Sequence, residues 1–200
     1  MRIIAGQFRS RRLKTLAGVR TRPTSDRLRE TLFNLIGAAV VDAVFADCYA
    51  GSGAVGLEAL SRGARRAYFL ESHRAANKVI RENLAALKIE EGYEISALDV
   101  CTGLKTLERK GVRLDLVFLD PPYQAAEEYD RALTFFGASS LLAPTALVIA
   151  EHKKRHTLAD TYGALRRTRT RTQGDATLSF YRPVAGALRL RSGQTTGLGA

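Results

Sequence analysis

The chain has 200 residues but only two cysteines, and none of its hydrophobic runs is long enough to span a membrane. A membrane helix needs about 18 or more consecutive apolar residues, so a helical membrane protein is excluded. Cys48 and Cys101 lie far apart and fit no metal-binding or redox spacing, so we expect both to be reduced. The first residues also lack the apolar core of a secretory signal. These absences predict a cytoplasmic protein with no metal site.

Acidic residues are scarce at both ends of the chain, and the net charge is +11. The first 30 residues carry nine Lys or Arg and two acids, and residues 151–200 carry ten and three. Residues 31–150 carry 12 basic and 15 acidic side chains. A near-neutral body with two basic ends is typical of a protein that binds a polyanion such as RNA. A merely solvated basic surface is the alternative.

Helical and strand patterns alternate through the middle of the chain, which predicts a parallel, doubly wound sheet. Two stretches rich in Arg and Thr, 164–171 and 176–182, predict a closing hairpin instead. Its arginines could face solvent or contact RNA, and the pattern leaves both open. The expected elements are helices over 26–39, 54–61, 74–88, 102–110 and 127–136, and strands over 43–48, 67–70, 93–98, 114–119 and 146–150.

A glycine-rich turn follows the first predicted strand, and Asp47 precedes it. Gly51 and Gly53 let the backbone pass close to a ligand where a Cβ atom would clash. The spacing is a weak match to a dinucleotide fingerprint, but Asp47 would repel a pyrophosphate and suits the cationic S-adenosylmethionine. Glu71 and Asp99 end the next two strands and could accept hydrogen bonds from ribose hydroxyls and from an adenine amine. Each of these three acids could instead cap a neighbouring helix.

The residues Asp120-Pro121-Pro122-Tyr123 end the strand predicted over 114–119. Two consecutive prolines stop the strand and stiffen the turn, because proline has a fixed φ and no N–H group. A carboxylate, a carbonyl and an aromatic ring are thereby held at the edge where open α/β sheets bind ligands. We expect Asp120 and the Pro121 carbonyl to accept the two hydrogens of a base amine, while Tyr123 stacks on the base.

Several motifs together resemble the RsmD family of bacterial 16S ribosomal RNA guanine-N2 methyltransferases, over about residues 1–183. The Asp-Pro-Pro-Tyr sequence and the glycine turn occur in many amino-methyltransferases, whereas the long N-terminal motif narrows the substrate. Cys48 and Tyr49 stand where relatives often have Leu and Phe. The matching segments are 1–6, 22–34, 47–63, 120–123 and 174–181.

The resemblance implies a Rossmann-like class I methyltransferase that depends on S-adenosylmethionine. We expect an α/β fold with a mostly parallel seven-stranded sheet that ends in an antiparallel hairpin. A basic RNA-contacting extension would occupy residues 1–24, the methyltransferase domain residues 25–183 and a disordered tail residues 184–200. The protein would act as a monomer on a guanine of 16S rRNA, either free or in a finished or partly assembled 30S subunit.

The expected site residues fall into three groups, and no metal is expected. Catalysis is assigned to Asp120, Pro121, Pro122 and Tyr123. The predicted cofactor site comprises Asp47, Tyr49, Ala50, Gly51, Ser52, Gly53, Glu71, Ser72, Asp99, Val100 and Asp120. The predicted RNA-binding residues are Arg9, Arg11, Arg12, Lys14, Arg22, Arg27 and Arg29. The three histidines, His73, His152 and His156, are expected at the surface rather than as ligands.

Three other functions fit parts of the sequence. A DNA adenine-N6 methyltransferase would use the same Asp-Pro-Pro-Tyr turn, but 200 residues leave no room for a large target-recognition segment. An NAD-dependent oxidoreductase would leave that turn and the basic ends unexplained. A non-catalytic rRNA-binding assembly factor would keep the fold without the chemistry.

Overall fold

The computed structural model describes residues 1–16, 26–122 and 125–184. Two predicted site residues, Arg22 and Tyr123, lie outside these ranges, as does the predicted tail beyond Val184. Among the described residues, no helix combines the length and the apolarity that a membrane crossing requires. The described ranges also contain no cluster of three or more His, Cys, Asp or Glu side chains that could hold a metal ion.

Helices and strands alternate from Asp26 onward. The helices are α1 (Asp26–Ile36), α2 (Ala54–Ser61), α3 (Arg74–Leu87), α4 (Val100–Arg109) and α5 (Glu127–Ala138), with a short 3-10 helix over Gly37–Val40. The strands are β1 (Val44–Cys48), β2 (Arg66–Leu70), β3 (Tyr93–Ser96), β4 (Leu114–Leu119), β5 (Leu142–Lys153), β6 (Thr161–Tyr162), β7 (Leu165–Gln173) and β8 (Ala176–Pro183).

The strands form one mixed sheet in the order β3-β2-β1-β4-β5-β8-β7-β6. The first five of these are parallel, and β8, β7 and β6 pair antiparallel. The predicted α/β class, the mostly parallel sheet and the terminal hairpin are confirmed. The additional strand, β6, has only two residues and is too short to leave a pattern in the sequence. β5 extends beyond the predicted 146–150 because its last residues pair with β8.

Helices cover both faces of the parallel part of the sheet. α4 and α5 pack on one face, where Leu104 and Phe136 lie in a buried cluster with Val117. α1, α2 and α3 pack on the other face, where Phe45 and Phe118 are buried. Burial on both faces explains why the central strands are almost continuously apolar.

The N-terminal segment, residues 1–16, doubles back on itself and packs on α2 and α3. The Ile3 amide donates to the Arg11 carbonyl at 2.9 Å, and Ile3 and Leu13 are buried in the same cluster as side chains of both helices. Gly6 has φ +83, and a Cβ atom there would lie 1.8 Å from the Ser61 carbonyl oxygen. Only glycine fits such a close approach. The segment therefore shares the core of the domain body.

Glu58, on α2, holds the N-terminal segment in place. Its carboxylate accepts hydrogen bonds from the Ile4 and Ala5 amides, at 2.8 and 3.0 Å. Arg62 donates to the same carboxylate at 2.7 Å, and the Nε of Arg29 lies 3.6 Å from it. The side chains of Glu58 and Arg29 are both fully buried. Glu58 is thus the centre of an ion cluster between α1, α2 and the N-terminal segment.

The prediction that Arg29 binds RNA is wrong, because its side chain is 0% exposed. The guanidinium donates to the Arg2 carbonyl and pairs with Asp26 as well as with Glu58. Desolvation by burial lowers the pKa of Arg29, and the Glu58 carboxylate opposes that shift. Arg29 therefore ties α1 to the N-terminal segment instead of reaching a phosphate.

Replacing Glu58 by Gln keeps the size of the side chain but removes the buried counter-ion of Arg29, which is left with only the half-exposed Asp26. Removing one partner of a buried ion pair costs about 3–5 kcal/mol, so we expect Glu58→Gln to lower the free energy of unfolding by that order. Urea denaturation followed by circular dichroism measures it. Glu94→Gln, which removes an exposed pair with Lys110, is the matched control and should change stability little. Equal effects of the two substitutions would contradict the structural role of Glu58.

Candidate functional site

Three strand ends meet at one edge of the sheet because β2, β1 and β4 are parallel neighbours. Cys48, the last residue of β1, is in register with Leu70 of β2 and Leu119 of β4. Glu71, the turn after Cys48 and Asp120 therefore begin side by side, one strand spacing of about 4.8 Å apart. The Asp120 amide donates to the Cys48 carbonyl at 3.4 Å. The fold thus brings the predicted cofactor and catalytic residues to one place.

The glycine turn, residues 49–53, is held by hydrogen bonds to the end of β2. The Tyr49 and Ala50 amides both donate to the Leu70 carbonyl, at 2.9 and 3.1 Å. The Gly51 amide donates to the Glu71 carboxylate at 2.8 Å. The turn is therefore preorganised by its neighbouring strand before any ligand binds.

Asp47 is 2% exposed, and its carboxylate accepts a hydrogen bond from the Gly56 amide at 2.8 Å. Because Gly56 lies in the first turn of α2, this bond satisfies one of the amides that a helix start leaves without a partner. The helix-capping alternative thus describes the contact that Asp47 makes. Burial raises the pKa of Asp47 to about 8, although the Gly56 hydrogen bond opposes the shift.

Glu71 and Asp99 also make capping contacts, and both remain accessible. Glu71 is half-buried and accepts from the His73 amide at 2.7 Å through its second oxygen. Asp99 is exposed and accepts from the Thr102 amide at 3.1 Å at the start of α4. Hydrogen bonding to the Thr102 side chain, and then to the Thr102 amide, lowers the pKa of Asp99. Since a carboxylate oxygen can accept more than one hydrogen bond, capping leaves both groups able to bind a ligand.

The Pro-Pro turn, Asp120–Pro122, leaves β4 next to the glycine turn. Asp120 is half-buried, Pro121 is buried and Pro122 is exposed. The Pro122 carbonyl accepts from the Ala125 amide at 2.8 Å, which directs the chain into α5. The ring of Tyr123 lies outside the described residues, so its predicted stacking role stays a prediction.

Tyr49 links the glycine turn to the helix that follows the Pro-Pro turn. Its hydroxyl donates to Glu128 of α5 at 2.9 Å, and Glu128 also pairs with Arg131. Burial and the Glu128 carboxylate raise the pKa of Tyr49 far above its usual value, so the phenol stays protonated as a donor. The sequence could not reveal this contact, because its partners are 79 positions apart and no local pattern joins them.

The remaining predicted cofactor residues differ in exposure. Ser52 is half-buried within the glycine turn, and Ser72 is exposed beyond Glu71. Val100 is buried in the core beneath the start of α4, in the same cluster as Leu104. Its side chain therefore supports the wall of the site rather than offering a polar contact.

The described RNA-binding candidates other than Arg29 are exposed, and they spread along one face of the molecule. Lys14 lies near the glycine turn and pairs with Glu82 at 2.9 Å, whereas the Phe8 amide donates to Ser61 at the far end of α2. α2 has eight residues and is about 12 Å long. The N-terminal segment thus runs along the length of α2, and RNA contact by its basic residues stays a prediction. The exposed candidates are Arg9, Arg11, Arg12, Lys14 and Arg27.

His152 is buried, so the expectation of a surface histidine is wrong for this residue. Its Nδ1 donates to the Lys153 carbonyl at 3.0 Å, and its Nε2 accepts from the Ser179 hydroxyl at 2.8 Å. Burial lowers its pKa, in keeping with a neutral ring. His152 lies in the extended β5, where it pairs with Thr177 of the neighbouring β8. The strand predicted over 146–150 ends before His152, so it could not show this burial.

In the closing hairpin, the arginines have different surroundings. Arg167 pairs with Asp160, whereas the Arg169 guanidinium lies 4.6 Å from the centre of the Phe180 ring. Arg166 and Arg171 are exposed. Both of the alternatives for this strand, a solvated face and an RNA contact, stay open.

The raised pKa of Asp47 predicts a specific dependence of stability on pH. The unfolded chain loses this proton near the ordinary aspartate pKa, whereas the folded chain keeps it up to about pH 8. Stability is therefore fully present at low pH and falls as pH rises toward 8, by at most about 1.4 kcal/mol per pH unit. Asp47→Asn keeps an oxygen for the Gly56 amide and removes the ionisation.

We accordingly expect the free energy of unfolding of Asp47→Asn to change less than that of the unmodified chain between about pH 5 and pH 8. Urea titrations across this range provide the measurement. Asp99→Asn serves as control, because a lowered pKa affects stability only in the acidic range. Parallel pH profiles for Asp47→Asn and the unmodified chain would refute the buried, protonated state.

Comparison with known proteins identifies the family. A sequence model of the family described as Conserved hypothetical protein 95 matches residues 1–182. Ribosomal RNA small subunit methyltransferase D of Escherichia coli is 39% identical over 151 residues, which cover 76% of this chain and 74% of the relative. The YlbH protein of Bacillus subtilis is 32% identical over 182 residues, which cover 91% of this chain and 98% of the relative.

A solved structure agrees with these sequence matches. The yhhF protein of Escherichia coli superposes with a TM-score of 0.80 at 35% identity, and the match covers 92% of this chain and 97% of that chain. The family match spans the N-terminal segment, the glycine turn, the Pro-Pro turn and nearly all of the closing hairpin. The chain therefore belongs to the RsmD family.

Proposed function

We propose that the protein transfers a methyl group from S-adenosylmethionine to the exocyclic N2 amine of a guanine in 16S rRNA. The observation that carries the proposal is the closeness of the two turns, since the Asp120 amide donates at 3.4 Å to the carbonyl of Cys48, the residue just before the glycine turn. Both turns leave neighbouring parallel strands, so a cofactor and a target amine would meet at this edge. The name of the Escherichia coli relative supports rRNA of the small subunit as the substrate.

The residues around the glycine turn fit the proposed cofactor. Glu71 offers half-exposed carboxylate oxygens for ribose hydroxyls, and the exposed Asp99 offers them for the adenine amine. Gly53 has φ +77, and a Cβ atom there would lie 3.2 Å from Ile80, so the turn requires glycine. Asp47 lies buried behind the turn, and a cation bound nearby would lower its raised pKa and favour the carboxylate.

The guanine N2 amine is a poor nucleophile because its lone pair is delocalised into the ring. The Asp120 carboxylate and the Pro121 carbonyl would accept its two hydrogens, which draws the nitrogen toward tetrahedral geometry and frees the lone pair. S-adenosylmethionine, held by the glycine turn, Glu71 and Asp99, would supply the methyl group from a sulfonium, and the neutral sulfur leaving group would keep the bonding electrons. Asp120 would take the proton that the methylated nitrogen releases. The stiff Pro-Pro turn contributes by holding both acceptors in position.

The target base must leave its stack to reach this turn. Extrusion costs a few kcal/mol, on the order of 2–4, and less for an unpaired loop than for a duplex. Tyr123 would stack on the extruded base, and this stacking would offset about 1–3 kcal/mol of the cost of extrusion. The exposed basic residues of the N-terminal segment and Arg27 would hold the surrounding phosphates.

Asp120→Ala tests the chemical role. We expect methyl transfer to fall by about 100-fold or more, because a preorganised contact to the reacting group is lost. The affinity for S-adenosylmethionine should stay within about threefold, since Glu71 and the glycine turn remain. Tritiated methyl transfer and calorimetric binding measure the two quantities.

Asp160→Ala, in the exposed loop before β6, is the matched control and should transfer methyl groups at the normal rate. Three acceptors, isolated 30S subunits, naked 16S rRNA and duplex DNA, separate the proposed substrate from a DNA target. Near-normal transfer by Asp120→Ala would reject the assigned role. Transfer to DNA alone would reject the rRNA substrate.

The salt dependence of RNA binding tests the N-terminal surface. Each phosphate contact contributes roughly 0.7–0.9 to the slope of log affinity against log salt. We expect the double variant Arg11→Ala with Arg12→Ala to bind 16S rRNA more weakly and to reduce this slope by about 1–2. Filter binding over a range of KCl concentrations gives both values.

Arg109→Ala, an equally exposed arginine on α4 at the opposite face of the sheet, is the control and should leave the slope unchanged. A salt-independent affinity, or equal slopes for the double variant and the unmodified chain, would remove the N-terminal segment from the RNA interface.

A further inference from the structure

Asn83, on α3, joins the N-terminal segment to the glycine turn. Its side-chain oxygen accepts from the Lys14 amide at 2.8 Å, and its side-chain nitrogen donates to the Lys14 carbonyl at 3.1 Å. The same nitrogen donates to the Ser52 carbonyl at 3.0 Å. The residue is only 1% exposed. Water cannot readily replace these bonds, so breaking any of them leaves a buried polar group unsatisfied.

The Ser52 carbonyl belongs to the glycine turn and points toward Asn83 on α3. Its peptide lies between Gly51, whose amide donates to Glu71, and Gly53, whose amide donates to the Ala50 carbonyl at 2.7 Å. The orientation of this peptide therefore depends on both the strand end and Asn83. A ligand that fixes the turn also fixes the Ser52 carbonyl.

The Asn83 amide group is planar and rigid, so its contacts cannot adjust independently. The nitrogen that meets the glycine turn is also bonded to Lys14, and the oxygen of the same group holds the Lys14 amide. A displacement on one side therefore weakens the bonds on the other. Fixing Ser52 correspondingly favours the docked state of Lys14.

A second contact supports the same connection. The Ser52 hydroxyl lies 4.0 Å from the Met1 sulfur, and the Leu13 amide donates to the Met1 carbonyl at 3.0 Å. The beginning and the end of the N-terminal segment thus both lie beside the glycine turn. The exposed Arg11 and Arg12 are carried between these two anchored ends.

We infer that Asn83 is a positioning residue that couples cofactor binding at the glycine turn to ordering of the RNA-contacting N-terminal segment. The two states are a docked segment and a locally opened one, and each ligand shifts the population toward the docked state. Because coupling between two sites is reciprocal, the cofactor raises the affinity for RNA and RNA raises the affinity for the cofactor. The RNA half of this inference rests on the proposed function.

Hydrogen exchange of the full chain, with and without S-adenosylhomocysteine, tests the coupling without any RNA. In the unmodified chain, the ligand should slow amide exchange both in residues 1–16 and in β4. We expect the factor by which exchange slows to be about three times larger, or more, in residues 1–16 than in β4. Comparison with β4 removes the global stabilisation that any bound ligand produces. This excess slowing should disappear in Asn83→Ala.

A second variant changes only the hydrogen-bonding group of Asn83 and keeps its size. Asn83→Asp keeps an oxygen for the Lys14 amide but loses the donor to both the Ser52 and the Lys14 carbonyls, so it should behave as Asn83→Ala does. Asn77→Ala is the matched control, because Asn77 is a buried asparagine on the same helix that donates to the Glu71 and His73 carbonyls. It should alter cofactor affinity and retain the excess slowing.

Excess slowing that persists in Asn83→Asp, or that is absent from the unmodified chain, overturns the inference. Thermal unfolding checks that each variant is folded, and Asn83→Asp decides the matter if Asn83→Ala is not. With a 16S rRNA transcript as the second probe, the affinity for S-adenosylhomocysteine should rise at least about fivefold in the unmodified chain and not in Asn83→Asp. Loss of this RNA effect alone, with the exchange result intact, counts against the proposed substrate.

Discussion

The parallel register that sets Cys48 between Leu70 and Leu119 is the constraint on which the site depends. Because neighbouring parallel strands end at the same edge, the acid after β2, the glycine turn and the Pro-Pro turn start within one strand spacing of each other. The prolines cannot extend the ladder, so Asp120 stays at that edge. The same constraint buries Asp47, because β1 lies inside the sheet with helices on both faces. Its raised pKa follows from the loss of water.

Buried polar side chains attach the N-terminal segment to this framework. Glu58 receives two backbone amides of the segment, and Asn83 makes two hydrogen bonds to Lys14 and one to Ser52. An unpaired buried carboxylate or amide is costly, so each of these groups favours one geometry of its partners. The helices that hold the basic N-terminal segment therefore also support the glycine turn. In the proposed enzyme, substrate binding and cofactor binding share their supporting contacts.

Much of the fold could be predicted because local patterns mark every α-helix and every strand except β6. Strands such as β4 are short apolar runs that end at an acid, a glycine or a proline, and α3 begins and ends within one residue of its predicted bounds. The roles of single polar residues were harder to predict. Arg29 follows Leu28 in a basic stretch and resembles its exposed neighbours in sequence, yet it is buried against Glu58. No residue within one helical turn of Arg29 indicates that Glu58, which belongs to another helix, is its partner.

From local sequence patterns one can predict the order of the α-helices and of every strand except β6, the positions of the glycine and Pro-Pro turns, and the family. These depend on backbone restrictions and hydrophobic periods that act over a few residues. Only the tertiary structure decided which acids cap helices, that Arg29 and His152 are buried, and that Asn83 and Tyr49 bridge to the glycine turn and to α5. The capping contacts are local, but the sequence allows these acids a capping or a ligand-binding role. The contacts of Arg29, His152, Asn83 and Tyr49 join residues far apart in the chain, and they exist only after the sheet has aligned its strands and excluded water from between its layers.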